Sequence, residues 1–315
     1  MQSIFPTGKI VITGAAGLVG QNLMVRLKAS GCTDIVGIDK HPTNTRTLAQ
    51  MHPDIRVIEA DLAHDDGWQE SFADAAVVIQ MHAQIGGLDW AEFEANNITA
   101  TRRVLAAAEA AGVPYLVHSS SSVVNSAAVD FYTESKKTQE SLVDGTTIPH
   151  VVLRPTLMFG WFDRKHLGWL ARFMQRVPVF PIPGAGHYLR QPLYVGDFCD
   201  IVIACLKNHT TGAFNISGQE RIYYIDLIRA LRQAVRAKTT ILPIPYRLFE
   251  ALLRVYALFD HNPPFTVKQL RALATPDEFE VIDWPGLFGV RSTPLAEALD
   301  ATFNDPRFAS VALEF

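Results

Sequence analysis

The feature that most constrains the fold is a glycine-rich segment that directly follows a run of β-branched residues. Residues 9–13 (KIVIT) have the composition of a buried strand, and residues 13–20 (TGAAGLVG) follow without a break. Residues 22–29 then have the composition of a helix. Because glycine permits tight turns and close approach of the backbone, this order predicts one strand–turn–helix unit.

The alternation of strand and helix continues through the first half of the chain. Further apolar, β-rich runs predict strands at residues 34–39, 55–59, 76–81, 115–118, 151–154 and 212–216. The clearest helix between them is predicted at residues 97–111, closed by Gly112. Apolar strands that alternate with helices indicate a parallel sheet covered on both faces. We therefore expect an α/β fold, a Rossmann-type doubly wound parallel sheet.

The glycine segment has the spacing of a dinucleotide-binding turn. Its three glycines permit a tight turn, close approach of the backbone to a pyrophosphate, and close packing of helix on strand. The helix N-terminus offers N–H groups and a positive dipole end to the phosphates. Asp39 ends the second strand, where a carboxylate binds ribose hydroxyls and repels a 2′-phosphate. We expect NAD, although the neighbouring Lys40 and His41 leave NADP open.

The remaining cofactor contacts are expected from the turn and from the ends of the strands. From the turn we expect Gly14, Ala16, Gly17, Leu18 and Val19. Asp61 and Leu62, after the third strand, are placed to meet the adenine ring, and an Asx turn explains Asp61 equally well. His82 and Ala83 end the fourth strand, where the backbone passes the cofactor. A packed or surface histidine is a better interpretation of His82 than a catalytic base.

A tyrosine and a lysine stand one helical turn apart on the same face, at Tyr132 and Lys136. A phenol has a pKa of about 10 and is a poor base near neutral pH. A nearby ammonium, together with an oxidised nicotinamide, stabilises the phenolate and lowers that pKa. The phenolate then takes a proton from a substrate hydroxyl as the hydride leaves for the cofactor. A serine from residues 119–122 is expected to hold the substrate oxygen, while at least two of the four only fill a turn.

With these motifs the chain resembles the extended short-chain dehydrogenases, also called the NAD-dependent epimerase/dehydratase family. The likeness covers nearly all of residues 8–218 and rests on Asp39, Asp61-Leu62, Asn97 and the stretches TGAAGLVG, SSSS, YTESK, LRPTLMFG and RQPLYVGD. The resemblance implies a catalytic hydroxyl at Ser121 beside Tyr132 and Lys136, and it places Asn97 at the cofactor site. It also implies that Arg190 binds the diphosphate of a nucleotide sugar, since a guanidinium forks onto phosphate oxygens. A surface ion pair of Arg190 with Asp197 or another acid is the alternative.

Three departures from the family pattern bear on the substrate and the reaction. Only ten residues separate Ser121 from Tyr132, where the family has a longer substrate loop, so we expect a more open pocket or closure by another segment. Leu157 stands where many nucleotide-sugar enzymes have asparagine, which weakens that assignment. Ser122 and Val123 replace the Asp-Glu pair of the 4,6-dehydratases, so dehydration is not expected.

The sequence changes character after Arg154, where prolines punctuate the chain. We expect an NAD-binding domain at residues 1–155, completed by residues 194–218. Residues 156–193 and 219–315 are expected to form a smaller, mixed α/β substrate-binding region.

Composition and charge narrow the setting of the protein. A formal net charge of −4 argues against a nucleic-acid partner. Three cysteines without metal-ligand spacing predict core residues, no metal site and a reducing, cytoplasmic compartment. The sequence predicts no signal peptide and no membrane span. A homodimer is expected from the resemblance.

Three hypotheses of function follow. The first is an NAD-dependent epimerase or ketoreductase that acts on a nucleotide-activated sugar. The second is a hydroxysteroid- or lipid-type alcohol dehydrogenase, because a helix predicted at residues 246–259 carries many apolar residues beside Arg247 and Arg254. A packed helix or a dimer contact is the alternative for that helix. The third is a non-catalytic NAD-binding assembly subunit.

Overall fold

A computed structural model describes residues 8–126, 129–256, 270 and 279–314 of the chain. The strands are β1 Lys9–Thr13, β2 Ile35–Asp39, β3 Arg56–Glu59, β4 Ala75–Gln80, β5 Leu116–Ser119, β6 His150–Pro155, β7 Met158–Phe159, β8 Val179–Pro183, β9 Leu189–Arg190, β10 Leu193–Tyr194, β11 Gly212–Ile216, β12 Ile222–Tyr223 and β13 Thr240–Ile244. The α-helices are α1 Leu18–Ala29, α2 Pro42–Met51, α3 Trp90–Phe93, α4 Ala100–Ala110, α5 Phe131–Asp144, α6 Leu167–Arg176, α7 Val195–Asn208, α8 Tyr224–Ala234, α9 Tyr246–Tyr256, α10 Trp284–Phe288 and α11 Leu295–Asn304. Short 3₁₀ turns span Trp68–Phe72 and Ser122–Asn125, and a π-turn spans Glu94–Thr99.

The seven predicted strands form one parallel sheet in the order β11-β6-β5-β4-β1-β2-β3. The strand order changes direction between β1 and β4. In open α/β sheets ligands bind at such a switch point, outside the carboxyl ends of the strands. The prediction of a Rossmann-type parallel sheet is therefore confirmed, and the topology places a binding crevice at the ends of β1 and β4.

Helices cover both faces of the sheet, which explains why its strands are continuously apolar. On one face α1 and α7 pack on the strands through residues such as Leu23, Phe198 and Cys205. On the other face the core includes Trp68 and Val104. Both faces of the sheet are thus mainly apolar, and the cofactor cleft lies at the strand ends.

Two helix boundaries differ from the predicted ones. Helix α1 begins at Leu18 rather than at Asn22, so its N-terminus directly follows the glycine turn. The helix predicted from Asn97 begins as the π-turn and becomes α-helical at Ala100. The helix predicted at residues 246–259 is α9, and the part of that prediction beyond Tyr256 lies outside the described residues.

The other strands form three two-stranded pairs, β7 with β10, β9 with β12 and β8 with β13. A separate apolar core holds them together with α6, α8 and α11, and its buried members include Phe159, Ile182, Ile228 and Leu299. Within the described part of the chain, no helix is both long enough and apolar enough to cross a bilayer.

Candidate active site

The glycine turn fits closely against the end of β4. Gly14 has φ +71°, and a Cβ on it would lie 2.6 Å from the backbone nitrogen of His82. A Cβ on Gly20 would lie 2.5 Å from the carbonyl oxygens of Gly14 and Ala15. Glycine is therefore required at both positions, at one for the turn and at the other for packing of α1 on the loop.

The N-terminus of α1 is open to an anion. Gly17 is its N-cap residue, and no side chain of the described residues caps the helix there. Gly17 lines a cleft with about 810 Å³ of open space, which also meets Gly14 and Asp39. Backbone N–H groups at a helix N-terminus, with no side chain in front of them, fit the pyrophosphate of a dinucleotide.

Asp39 is fixed beside this turn. One of its carboxylate oxygens accepts the N–H of Ala16 at 3.0 Å, and the other accepts the N–H of His41 at 3.0 Å. Burial raises the pKa of the carboxyl group, and these backbone hydrogen bonds oppose the rise. The side chain is therefore held in one orientation at the end of β2, which is where a ribose is expected.

The far end of the cleft is built by the residues predicted for the adenine. Asp61 and Leu62 both line the cleft. Asp61 also accepts the N–H of Ala63 at 2.9 Å, so the Asx turn and the position at the cleft are both present. Lys40 lies near Asp61, with 3.5 Å between the Nζ atom and a carboxylate oxygen, and it donates to Asn96 at 2.6 Å. The ammonium group of Lys40 therefore interacts with Asp61 and Asn96 at the rim of the cleft.

Of three further residues predicted to contact the cofactor, two line the cleft and one does not. His82 and Ala83 both line the cleft. Burial lowers the pKa of His82 to about 3, which keeps the ring neutral and unsuited to be a base. Asn97, in contrast, is fully buried, and its side chain exchanges two hydrogen bonds with the backbone of Gln84 and donates one to Ser135. Asn97 therefore holds the loop that follows β4, and direct contact with the cofactor stays a prediction.

Three of the four serines at the end of β5 and just after it make distinct contacts. The carbonyl of Ser119 accepts a hydrogen bond from the Nζ atom of Lys136 at 3.1 Å. Ser120 donates to Glu140 at 2.5 Å. Ser121 is hydrogen-bonded to the hydroxyl of Tyr132. Ser121 is thus the serine that meets the tyrosine, as the resemblance implies.

The pKa values of the tyrosine and the lysine follow from their burial. Burial raises the pKa of Tyr132, and the hydrogen bond from Ser121 partly opposes this rise. The lowered pKa expected from Lys136 together with an oxidised nicotinamide concerns the enzyme with its cofactor bound, and it stays a prediction. Burial lowers the pKa of Lys136 to about 7, with Glu140 acting in the opposite direction, so at neutral pH the lysine is only partly charged.

A chain of hydrogen bonds leads from the lysine to the cofactor cleft. Lys136 donates to the side chain of Gln139, which donates to the hydroxyl of Thr101 at 2.9 Å. Thr101 lies 3.3 Å from the Nε2 atom of His82, whose Nδ1 atom lies 2.8 Å from the hydroxyl of Thr13. We call these five residues the polar chain. A neutral His82 that accepts at Nε2 and donates at Nδ1 satisfies all of its contacts.

A polar cavity lies at the carboxyl ends of β6 and β11, next to the serine run. It has about 890 Å³ of open space and is lined by Ser122, Asn125, Ser126, Arg154, Thr156, Asn215, Ile216, Ser217, Phe279 and Glu280. Arg154 also pairs with the carboxylate of Glu140. The cavity is suited to a substrate part that carries hydroxyl or amide groups.

Arg190 is not among the residues that line this cavity. It lies half-buried on β9, and its charge acts on the phenols of Tyr188 and Tyr224. Both carboxylate oxygens of Asp197 accept from Thr293, which gives no support to its pairing with Arg190. An ion pair of Arg190 with another acid stays open. Its predicted contact with a diphosphate stays a prediction.

An exposed apolar patch lies beside the tyrosine. The ring of Phe131, the residue before Tyr132, contacts Trp90 with 5.7 Å between ring centroids. Val129 precedes Phe131 by two residues and is 89% exposed, and Leu88 precedes Trp90 by two residues and is 98% exposed. We call Leu88, Trp90, Val129 and Phe131 the apolar patch.

Some residues of the site could not be predicted from the sequence. Gln139 and Thr101 of the polar chain stand on two different helices, and no local motif connects them. Asn44 and Glu314 also line the cleft, and they exchange two hydrogen bonds of 2.8 Å across most of the chain. Only the three-dimensional fold brings such pairs together.

Comparisons with known proteins agree with the crevice and its glycine turn. A model of the NAD dependent epimerase/dehydratase family matches residues 10–217. Ceramide reductase of Caulobacter vibrioides is 24% identical over 305 residues, which cover 94% of this chain and 90% of that protein. The mitochondrial NADH dehydrogenase [ubiquinone] 1 alpha subcomplex subunit 9 of Arabidopsis thaliana is 22% identical over 279 residues, which cover 84% of this chain and 69% of that protein.

A solved structure shares the fold. UDP-glucuronic acid 4-epimerase from Bacillus cereus, in complex with NAD, superposes with a TM-score of 0.69 at 22% identity, and the match covers 94% of this chain and 97% of that chain. The family match extends over most of the parallel sheet, the glycine turn and the Tyr132–Lys136 pair. The chain therefore belongs to the NAD dependent epimerase/dehydratase family, and NAD, the cofactor of that family, is its cofactor.

Proposed function

We propose that the chain is an NAD-dependent oxidoreductase, a ketoreductase or epimerase, that interconverts a hydroxyl and a keto group of a lipid-type substrate. The hydrogen bond between Ser121 and Tyr132, with Lys136 one helical turn further on, carries the proposal of hydride chemistry. In this proposal residues 1–155 and 194–218 bind NAD, and residues 156–193 and 219–315 bind the substrate.

The residues divide the proton chemistry between them. In the direction of oxidation, the phenolate oxygen of Tyr132 takes the proton of the substrate hydroxyl while Ser121 donates a hydrogen bond to the same oxygen. NAD, when bound in the cleft, would supply the hydride acceptor for this direction and, as NADH, the hydride donor for the reverse. The charged form of Lys136 favours the phenolate of Tyr132. The polar chain fixes the position of the Lys136 side chain. In the direction of reduction the phenol returns its proton to the new alkoxide oxygen.

The variant Tyr132→Phe tests this assignment. It removes the proton-transferring oxygen and leaves the ring, so turnover should fall by about 10²-fold or more. The affinity for NAD, measured by thermal shift, should stay close to that of the wild type. Tyr223→Phe, at an exposed position, is the matched control and should change neither quantity.

Either of two results would contradict the proposal. If Tyr132→Phe keeps most of the turnover, another group transfers the proton. If the wild type binds NAD and turns over neither lipid-type ketones nor nucleotide sugars in either direction, the third hypothesis, a non-catalytic NAD-binding subunit, takes its place. The similarity to a subunit of NADH dehydrogenase gives that hypothesis its support.

The apolar patch supports a substrate with a hydrocarbon chain. Leu88 and Val129 are almost fully exposed, although burial of each would be favourable by about 1.5–3 kcal/mol. Val129 lies in the short connection before Tyr132, where the family uses a longer loop. Leu157, beside the cavity residue Thr156, is also half-exposed. The similarity to ceramide reductase, an enzyme named for a lipid, supports the same class of substrate.

A nucleotide-activated sugar is the second candidate. The polar cavity next to Ser121 favours it, because hydroxyl and amide groups line that space. The fold shared with a UDP-glucuronic acid 4-epimerase also supports it. The position of Arg190 outside the cavity lining gives this candidate less support, because no residue there is assigned to a diphosphate.

Turnover with substrates of both classes separates the candidates. The wild type would be assayed with NADH and a series of long-chain keto-lipids in mixed micelles, and with NAD and UDP-sugars. In the lipid proposal, KM falls as the hydrocarbon chain lengthens. The double variant Leu88→Ser/Val129→Ser should then raise KM for the longest chains by about tenfold and leave kcat unchanged. Turnover of UDP-sugars alone would favour the second candidate.

We further propose a cytoplasmic homodimer, which follows from the resemblance. Analytical ultracentrifugation of the purified chain tests it, and a monomer at micromolar concentration would contradict it.

A further inference from the structure

Helix α9 is strongly amphipathic, and the described part of the chain leaves its apolar side uncovered. Its sequence, YRLFEALLRVY, places leucines and a valine among two arginines and one glutamate. Within residues 246–255, whose burial the structure describes, none is buried. An amphipathic helix in a folded protein normally buries its apolar face against a core, so the partner of this face lies outside the described residues.

The uncovered apolar residues form one stripe. Leu248, Leu252 and Val255 follow each other at i, i+4 and i+7, a spacing that puts them on one side of the helix. Their exposed fractions are 52%, 52% and 53%. Leu242, on the strand that leads into α9, is also about half-exposed. We call Leu248, Leu252 and Val255 the α9 stripe.

Positive charge accompanies the stripe. Residues 221–254 contain seven arginines and lysines against two acidic residues, although the whole chain carries 28 basic and 32 acidic residues. Arg247 and Arg254 are both exposed and lie at i and i+7, on a face beside the stripe. Glu250, the one acidic residue of α9, is paired with Arg254. The segment that leads into and includes most of α9 therefore has a net charge opposite in sign to that of the chain as a whole.

We propose that the α9 stripe docks the protein on an anionic phospholipid bilayer. An apolar face flanked by arginines is the pattern of a helix that lies in the plane of the membrane interface. The apolar side chains enter the boundary of headgroups and acyl chains, and the arginines meet the phosphates. The docking surface goes beyond the catalytic proposal, since it requires neither turnover nor any particular substrate.

The excess of basic residues favours a membrane over a second copy of the chain. Two copies that meet through α9 would bring the same positive segments together, whereas an anionic bilayer neutralises them. The single helix has only three exposed apolar residues in its stripe, so binding should be reversible and should weaken at high salt.

Flotation of the full chain, with NAD present, on phospholipid vesicles tests the proposal. Vesicles of phosphatidylcholine with about 30% phosphatidylglycerol should carry the protein to the top of the gradient, and pure phosphatidylcholine should carry much less. The variant Leu248→Glu/Leu252→Glu should reduce the partition coefficient at least about tenfold. Leu287→Glu is the matched control, because Leu287 is 56% exposed on α10 and should tolerate the charge without loss of binding.

Stabilisation by NAD in a thermal-shift assay shows that each variant is folded, and the remaining outcomes decide the proposal. It is overturned if the folded wild type does not float with anionic vesicles, or if the double variant floats as well as the wild type. It is also overturned if the stripe proves to be a protein contact. In that case the wild type sediments as a dimer, the double variant sediments as a monomer, and neither binds vesicles.

Discussion

Lys136 is fully buried, and its environment connects catalysis with stability. Burial lowers its pKa to about 7, whereas in an unfolded chain a lysine has a pKa of about 10.4. The unfolded state therefore binds more protons between these two values, and stability rises with pH across that window. Burial of Lys136 destabilises the folded state to its full extent below pH 7. This destabilisation disappears as the pH approaches the pKa of the lysine in the unfolded chain, about 10.4.

A comparison of the wild type with Lys136→Met measures this effect. The free energy of unfolding of the wild type should rise relative to that of Lys136→Met as pH increases from 7 to 9.5, by at most about 1.4 kcal/mol per pH unit. Urea unfolding at several pH values gives the difference, and turnover of the variant should be lost. Lys137→Met, at the neighbouring position paired with Glu134, should show no such divergence. Parallel curves for wild type and Lys136→Met would contradict the lowered pKa.

We predict that Asp39 determines which dinucleotide fits. Its carboxylate accepts N–H groups from Ala16 and His41 at the end of β2, where a 2′-phosphate is expected to meet it. Asp39→Ala should weaken NAD binding by about 10–100-fold and weaken NADP binding less, because hydrogen bonds to a charged group are lost only for NAD. Titration of each cofactor by fluorescence measures the ratio. Asp54→Ala, an exposed position, is the control, and an unchanged ratio in Asp39→Ala would contradict the role.

At the scale of elements, two glycines with positive φ separate the cost of backbone strain from the cost of steric overlap. Gly14 and Gly31 both have positive φ, but a Cβ on Gly31 meets nothing within 4 Å, whereas on Gly14 it would clash with the backbone of His82. Gly31→Ala should therefore cost only backbone strain, about 1–2 kcal/mol. Gly14→Ala should cost more and should also abolish NAD binding, because β4 or the turn must move. Chemical unfolding and NAD titration check both variants, and equal effects would refute the close approach.

The sequence predicts some of these elements better than others. All seven strands of the parallel sheet were predictable, because strands buried on both faces are continuous apolar runs. The two-residue strands β7, β9, β10 and β12 have no such signal, since their pairing depends on how the chain returns to the sheet. The start of α1 at Leu18 was missed because glycine-rich residues obscure where a helix begins.

The candidate site was predictable where its residues stand in local motifs. Tyr132 and Lys136 share a helix, and the serine run follows a strand, so their roles could be inferred before any geometry was known. The rise that burial causes in the pKa of Tyr132 could not be inferred, because it depends on how the fold surrounds the phenol. Gln139 gave no signal either, since its partner Thr101 comes from another helix.

The molecule as a whole brings its last described residues to the cofactor cleft. Glu314 exchanges two backbone hydrogen bonds with the side chain of Asn44, and Leu313 is buried in a cluster with Trp161, Phe162 and Phe308. The first turn of α2, the segment after β7 and the last described residues are thereby joined near the cleft.

Deletion of residues 311–315 tests the importance of this contact. The deletion exposes the apolar cluster and releases Asn44, so stability should fall by about 2–3 kcal/mol. The affinity for NAD should fall with it, because the cleft loses part of its wall. Glu314→Ala keeps the backbone contact and should change both quantities little. A truncated chain with unaltered stability and NAD affinity would show that residues 311–315 contribute neither to the stability of the fold nor to the wall of the cleft.

The polar chain has a consequence for how activity appears during refolding. Thr13, His82, Thr101 and Gln139 come from β1, the end of β4, α4 and α5, and all four lie between Lys136 and the cleft. None of these elements can hold the lysine alone. Recovery of enzymatic activity therefore has to coincide with the last docking event among them, and a collapsed intermediate with native-like helices would still be inactive.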